Sequence, residues 1–117
     1  MLDVLFGSKN AQRVLIYLLA KESGYIREIA DYYSVSPSVI KQQLDKFELA
    51  SIIVGKDFAN TRIYELNKRY PLYTELSALL RKALSTYPDE DRIKLIKKER
   101  DRPRGNKKPV VMRSEDE

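Results

Sequence analysis

Along KNAQRVLIYLLAKESG the apolar residues Ala11, Val14, Leu15, Leu18 and Leu19 fall three and four apart, the spacing of one helix face. Ser8 stands where an N-cap is needed and Gly24 follows the end, so the pattern predicts a first helix over roughly residues 9–22. The next stretch, YIREIADYY, sets Ile26, Ile29, Ala30 and Tyr33 on one side. That predicts a short helix beginning near Arg27, with Tyr25 and Ile26 as a brief extended stub. Beyond Ser34 and Val35, Ser36 immediately precedes Pro37. A capping hydroxyl followed by proline at the first helical position, where the missing N–H is not needed, marks a helix start. In the helix from Pro37 to residue 49, Ile40, Leu44 and Phe47 recur at i, i+4 and i+7 and face the core. At about 100° per residue, Ser38, Gln42, Asp45 and Lys46 then point away, with Val39, Lys41 and Gln43 on the flanks.

The period then changes. SIIVG is β-branched and TRIYEL alternates, while GKDFAN between them contains Gly and Asn, which predicts a β-hairpin whose loop carries Lys56, Asn60 and Arg62. Pro71 breaks the strand and opens PLYTELSALLRKALSTY, where Leu72, Leu76, Leu79, Leu80 and Leu84 form an apolar stripe on a long helix. Pro88 separates this from PDEDRIKLIKKERDR, whose acidic start and basic finish suit the helix dipole, with only Ile93, Leu95 and Ile96 to bury. The last segment has Pro103, Gly105, Pro109 and dense charge, the composition of a chain disordered when free. No internal repeat is visible. The expected fold is mainly α with a small β-hairpin, divided into residues 1–70, C-terminal helices over 71–102 and a basic tail over 103–117.

Charge changes this picture mainly at one end. The 117 residues carry 22 Lys and Arg against 17 Asp and Glu, a net +5. Residues 92–113 hold 10 basic and 2 acidic side chains, whereas residues 1–87 hold 12 and 9. Such clustering favours an acidic polymer as partner, because Lys and Arg release counterions from a phosphate backbone; a merely solvated tail is the plainer alternative. The chain has no cysteine and no histidine, which removes disulfides, the usual transition-metal ligands, the commonest general base and Cys/His nucleophiles. No catalytic residue, metal or cofactor is therefore expected. Asp89, Glu90 and Asp91 are explained by their place at a helix N-terminus. The eight tyrosines are expected to pack in the core or an interface with a wet hydroxyl. MLDVLFGSKN lacks the basic-then-apolar pattern of a signal peptide, and the apolar runs fall short of the roughly 20 residues of a membrane span, so a cytoplasmic protein away from membranes is expected.

Two short helices joined by a three- or four-residue turn form a helix-turn-helix, whose second helix can enter the major groove with its N-terminal side chains at base edges. Gln42 and Gln43 can each donate to and accept from adenine, Ser38 suits either base type and Val39 can meet a thymine methyl, while Lys41 and Lys46 suit phosphates. With a hairpin directly behind as a wing, residues 5–85 resemble the winged helix-turn-helix transcriptional regulators of the ArsR-like and MarR-like kind. The resemblance runs through LFGSKNAQRVLIYLL, REIADYYSVSPSVIKQQLDKFE, the hairpin and LNKRYPLYTELSALLRKAL. It implies a winged-helix domain with a C-terminal helical extension, acting as a homodimer on partly palindromic double-stranded DNA, as a prokaryotic repressor. Position by position it implies Ser36, Ser38, Val39, Lys41, Gln42, Gln43 and Lys46 at the major groove. It further implies Lys56, Asn60 and Arg62 on the wing, against the minor groove or backbone, and Lys9, Arg13 and Arg27 at phosphates. Metal-sensing ArsR-like members use Cys and His clusters, which this chain lacks, so the resemblance does not extend to metal sensing.

Two other readings stay open: a winged-helix module that binds a protein partner, as in a toxin–antitoxin or defence pair, and a non-specific nucleic-acid binder driven by the tail. The apolar LDVLF start and the helix from Pro71 together exceed what three short helices can cover. A two-fold interface joining the first helix, or the segment before it, to the C-terminal helices is the expected solution.

Overall fold

The structure, a computed structural model, describes residues 1–96, so the tail over 103–117 and the end of the segment after Pro88 lie outside the described residues. Helix α1 spans Asp3–Phe6 and α2 spans Lys9–Lys21. The start of α2 is set as expected: the Ala11 amide donates to Ser8 Oγ at 3.0 Å. It ends at Glu22, whose left-handed backbone (φ 77°) returns its N–H to the Leu18 carbonyl. Sequence periodicity gives α2 one apolar face, yet Val14, Leu15, Ile16, Tyr17 and Leu18 are buried in succession. A helix buried on consecutive positions is surrounded. Around α2 pack α1, α3 (Ile26–Tyr33), α4 (Pro37–Leu49), β2 (Thr61–Leu66), α5 (Tyr73–Ser85) and α6 (Asp89–Ile96).

The expected extended stub is a single residue, and it lies one position earlier. Gly24 donates its N–H to the Tyr64 carbonyl at 3.0 Å, and Tyr64 donates back to Gly24 at 2.8 Å. A Cβ on Gly24 would stand 2.8 Å from Tyr17 Cε1, so α2 has already filled the space a side chain needs.

Strand β1 (Ile53–Phe58) pairs antiparallel with β2, Ile53 opposite Leu66 and Phe58 opposite Thr61. The strands are longer than the sequence suggested: Gly55 to Phe58 belong to β1, leaving Ala59 and Asn60 as the turn, with Ala59 at φ 57°. Lys56 and Arg62 are therefore strand residues, not loop residues. The physical reason is Arg62, whose Nε lies 2.6 Å from where a Gly55 Cβ would be. The glycine permits a close cross-strand approach instead of making a turn.

Helix α5 starts at Tyr73, after a turn closed by its N–H to the Tyr70 carbonyl at 2.9 Å. Of its stripe, Leu80 and Leu84 are buried and Leu76 half-buried, while Leu72 and Leu79 remain outside. In α6 only Leu95 reaches the core; Ile93 and Ile96 are exposed. The LDVLF start coils into α1, an element without a periodic signal. Leu2 is buried there, its N–H donating to Gln12 Oε1 at 2.6 Å, with Val4 and Leu5 outward. No helix among the described residues is long and apolar enough to cross a membrane.

Tyr17, Tyr32 and Tyr33 meet edge to face, with ring centroids 4.8 to 6.3 Å apart. Lys94 Nζ stands 5.2 Å from the Tyr32 ring, and Lys21 Nζ donates to the Lys94 carbonyl at 3.2 Å, fastening α6 to α2 and α3. The Tyr33 hydroxyl donates to the Arg13 carbonyl at 3.2 Å. Burial first, then Tyr87 and Tyr32, holds that hydroxyl well above the ordinary phenol range. Burial likewise raises Tyr32 and Tyr87. Unfolding exposes groups that ionise near pH 10, while the folded state keeps its protons. The folded state thus binds more protons above about pH 10, so stability is complete below that pH and falls as pH rises. Thermal midpoints measured across the alkaline range should decline, and Tyr33→Phe should make the decline shallower. Identical slopes would assign the alkaline limb to other groups.

Candidate nucleic-acid interface

Helices α3 and α4 are joined by Ser34, Val35 and Ser36. Ser34 takes a left-handed backbone (φ 57°) and the Val35 N–H reaches back to the Ala30 carbonyl at 3.0 Å, closing a tight helix-turn-helix. Ser36 occupies the cap position with Pro37 behind it, but its hydroxyl does not cap; it shares a 2.9 Å hydrogen bond with the Ser38 hydroxyl. Both hydroxyls are thereby held at the exposed N-terminal end of α4.

Ile40 and Leu44 have no solvent exposure and Phe47 only 5%, which turns Ser38, Lys41, Gln42, Asp45 and Lys46 outward. Ser38, Val39, Lys41, Gln42 and Asp45 line a shallow open concavity of about 420 Å³. Lys41 Nζ pairs with Asp45 at 2.6 Å, one turn along the helix, which raises the ammonium above its usual range. Gln43 is half-buried, and its Oε1 is buried without a hydrogen-bond partner in the structure. Lys46 turns towards α1, donating to the Phe6 carbonyl at 3.4 Å.

The wing is braced against α4. Arg62 pairs with Glu48 near the end of α4 and with Asp57 across the hairpin at 3.0 Å, and these carboxylates, Glu48 first, hold its guanidinium firmly protonated. Lys56 pairs with Glu65 at 2.9 Å, and Asn60 is exposed in the turn. Lys9 and Arg27 are exposed on α2 and α3. Arg13 is half-buried, its guanidinium bonded to Asn10 at 3.1 Å and 5.2 Å from the Tyr33 ring. The structure thus gathers Ser36, Ser38, Lys41, Gln42 and Lys46 on the exposed side of α4 with the wing beside its end, leaves Val39 and Gln43 half-buried at the edge of that side, and sets Arg13 into the aromatic cluster. Sequence reasoning missed Glu48, Asp57 and Glu65 as partners of the wing cations, and Phe58 as an exposed ring at the wing tip. Strand alternation alone shows that Arg62 and Asp57 share a face once the two-residue turn is known.

Among the described residues no group of three or more His, Cys, Asp or Glu could hold a metal ion. A second concavity, about 490 Å³, lies between α2, β2, α5 and α6; it mixes Leu19, Leu66, Tyr73 and Leu84 with Glu22, Glu65, Lys68 and Arg81.

This arrangement is the winged-helix fold, and solved structures share it. YusO from Bacillus subtilis superimposes with a TM-score of 0.53 and 22% identity, over 74% of this chain and 67% of its own. A variant of ZitR from Lactococcus lactis in apo form gives 0.50 and 22%, over 72% of each chain. Another ZitR variant, in complex with DNA, gives 0.50 and 22%, over 73% of this chain and 65% of its own. No family model matches the sequence. No curated protein matches it either.

The brace between α4 and the wing is testable. Glu48→Gln leaves the core untouched, so the thermal midpoint should move little, whereas amide hydrogen exchange over residues 56–62 should accelerate. Unchanged exchange would show that the turn and ladder hold the wing without Arg62.

Proposed function

We propose that the chain is a sequence-specific DNA-binding transcriptional regulator, a cytoplasmic homodimer that represses by occupying its operator. The carrying observation is the outward face of α4, small, amide and charged, on a helix whose opposite side is locked into the core at Ile40, Leu44 and Phe47. That composition and placement support a major-groove reader. The fold shared with ZitR, a variant of which is in complex with DNA, supports the same reading.

In this proposal Ser36, Ser38, Val39 and Gln42 meet base edges, with Gln43 at their flank, and Lys41 and Lys46 exchange their present partners for phosphates. Lys56, Asn60 and Arg62 carry the wing along the minor groove or backbone. Lys9 and Arg27 add phosphate contacts, and Arg13 acts from its place against Tyr33. Residues 1–70 read DNA, residues 71–102 dimerise, and the tail over 103–117 adds sequence-independent attraction. The dimer surface is drawn from the exposed apolar residues Val4 and Leu5 of α1, Leu79 of α5 and Ile93 and Ile96 of α6.

Affinity selection from a random duplex library should enrich an inverted repeat bound more than about 10³-fold tighter than a scrambled duplex. Gln42→Ala should weaken the selected duplex roughly 5- to 100-fold and leave the scrambled one unchanged. Equal binding to both duplexes, lost together as salt rises, would refute sequence reading. Light scattering on the purified chain should give a dimer at micromolar concentration and a monomer for Leu79→Glu. A wild-type monomer would refute the dimer.

A further inference from the structure

Phe58 is 73% exposed at the end of β1, and it is absent from the residues that pack on the core. The register explains where it points. Ile53, Gly55 and Asp57 share one face of the hairpin with Arg62, Tyr64 and Leu66, and that face is turned to the core at its root. Val54, Lys56 and Phe58 alternate onto the other face with Thr61, Ile63 and Glu65. Val54 near the root and Ile63 midway along are half-buried, so the outer face ends on an aromatic ring held out in water. With most of its surface left in water, the ring contributes little burial to the fold.

The tip is also held in place. A two-residue turn closes it, and Asp57, next to Phe58, is pinned by Arg62, which is itself tied to Glu48 of α4. Ring and reading helix are therefore parts of one framework. From Ile53 to Phe58 the strand extends roughly 17 Å, enough to carry the tip from a helix in the major groove, itself about 12 Å wide, past the sugar–phosphate backbone to the neighbouring minor groove. Thr61 stands opposite Phe58 in the register, exposed Lys56 lies two residues back on the same face and Asn60 sits in the turn, groups suited to sugar and phosphate.

We infer that Phe58 is a wedge: it enters the minor groove beside the α4 site, partly unstacks one base step and bends the duplex. Apolar side chains inserted in this way exchange stacking energy for a bent duplex that wraps more protein surface. The inference rests on the DNA-binding reading and adds to it a deformation of the DNA that the α4 contacts alone do not require.

The test uses the full chain and the duplex it enriches, carrying 2-aminopurine at successive steps outside the α4 site. Wild type should raise the fluorescence at one step and retard circularly permuted fragments as a bend. Phe58→Ala should abolish both and weaken binding roughly 5- to 100-fold, while the salt slope stays the same because no phosphate contact is removed. Phe58→Leu should restore part of the bend and Phe58→Ser none. A wild type that binds the enriched duplex without unstacking any step, or an alanine variant that bends it equally, would overturn the wedge and leave the regulator reading standing. Loss of affinity in the alanine variant without unstacking by wild type also overturns it, by placing the ring against a groove wall or a second copy. A chain that enriches no duplex overturns both.

Discussion

Near-complete burial of the middle of α2 is the constraint from which the remaining geometry follows. Ala11, Val14, Leu15, Ile16, Tyr17 and Leu18 leave almost no surface to solvent, so neighbouring elements must each bring an apolar side to this helix. α4 brings Ile40, Leu44 and Phe47, α5 brings Leu80 and Leu84, and α6 brings Leu95. Fully burying such a side chain contributes about 1.5–3 kcal/mol, well above what an exposed ion pair supplies. The rotation of α4 about its own axis is accordingly set by the core, and the polar face it shows to solvent is the complement of that packing.

The cations near that face share a second property: they already have partners. Lys41 has Asp45, Lys56 has Glu65, Arg62 has Glu48 and Asp57, and Lys46 has the Phe6 carbonyl. A phosphate approaching them exchanges one acceptor for another, and for exposed pairs that exchange costs little. What is reduced is the unsatisfied positive field that would attract any duplex. Excess charge lies instead in residues 92–113, with 10 basic and 2 acidic side chains. On the DNA-binding reading, attraction and discrimination are thus allotted to different parts of the chain.

The α4 face was legible in the sequence because three core residues at i, i+4 and i+7 determine every other direction on a helix. The hairpin was legible in kind, from β-branching and alternation, but not in length. Gly55 and Asn60 are both turn formers by local chemistry, and only the Arg62 side chain lying over Gly55 decides between them. Of the partners of Arg62, Asp57 stands 5 residues away and follows only once the turn is known, while Glu48 stands 14 residues away, beyond any local pattern. Ser36 stands at the cap position that the sequence marks, yet a hydroxyl two residues on outcompetes the backbone for its side chain. Ile93, Leu95 and Ile96 were equal candidates for burial in so short a helix, and the Lys94 contacts with Tyr32 and Lys21 choose Leu95 by fixing how α6 lies. The start at LDVLF had too few residues to establish any period.

The Gly24 bridge gives β2 a neighbour on each side, β1 on one and the loop between α2 and α3 on the other. The wing is therefore no free arm: its inner strand is stitched to the segment from which the helix-turn-helix departs. Helix and wing behave as the two jaws of a caliper locked at one opening. On the DNA-binding reading, the distance from the major groove to the next minor groove becomes a quantity measured by the protein, and sequences whose grooves fall naturally at that gauge need the least distortion to fit.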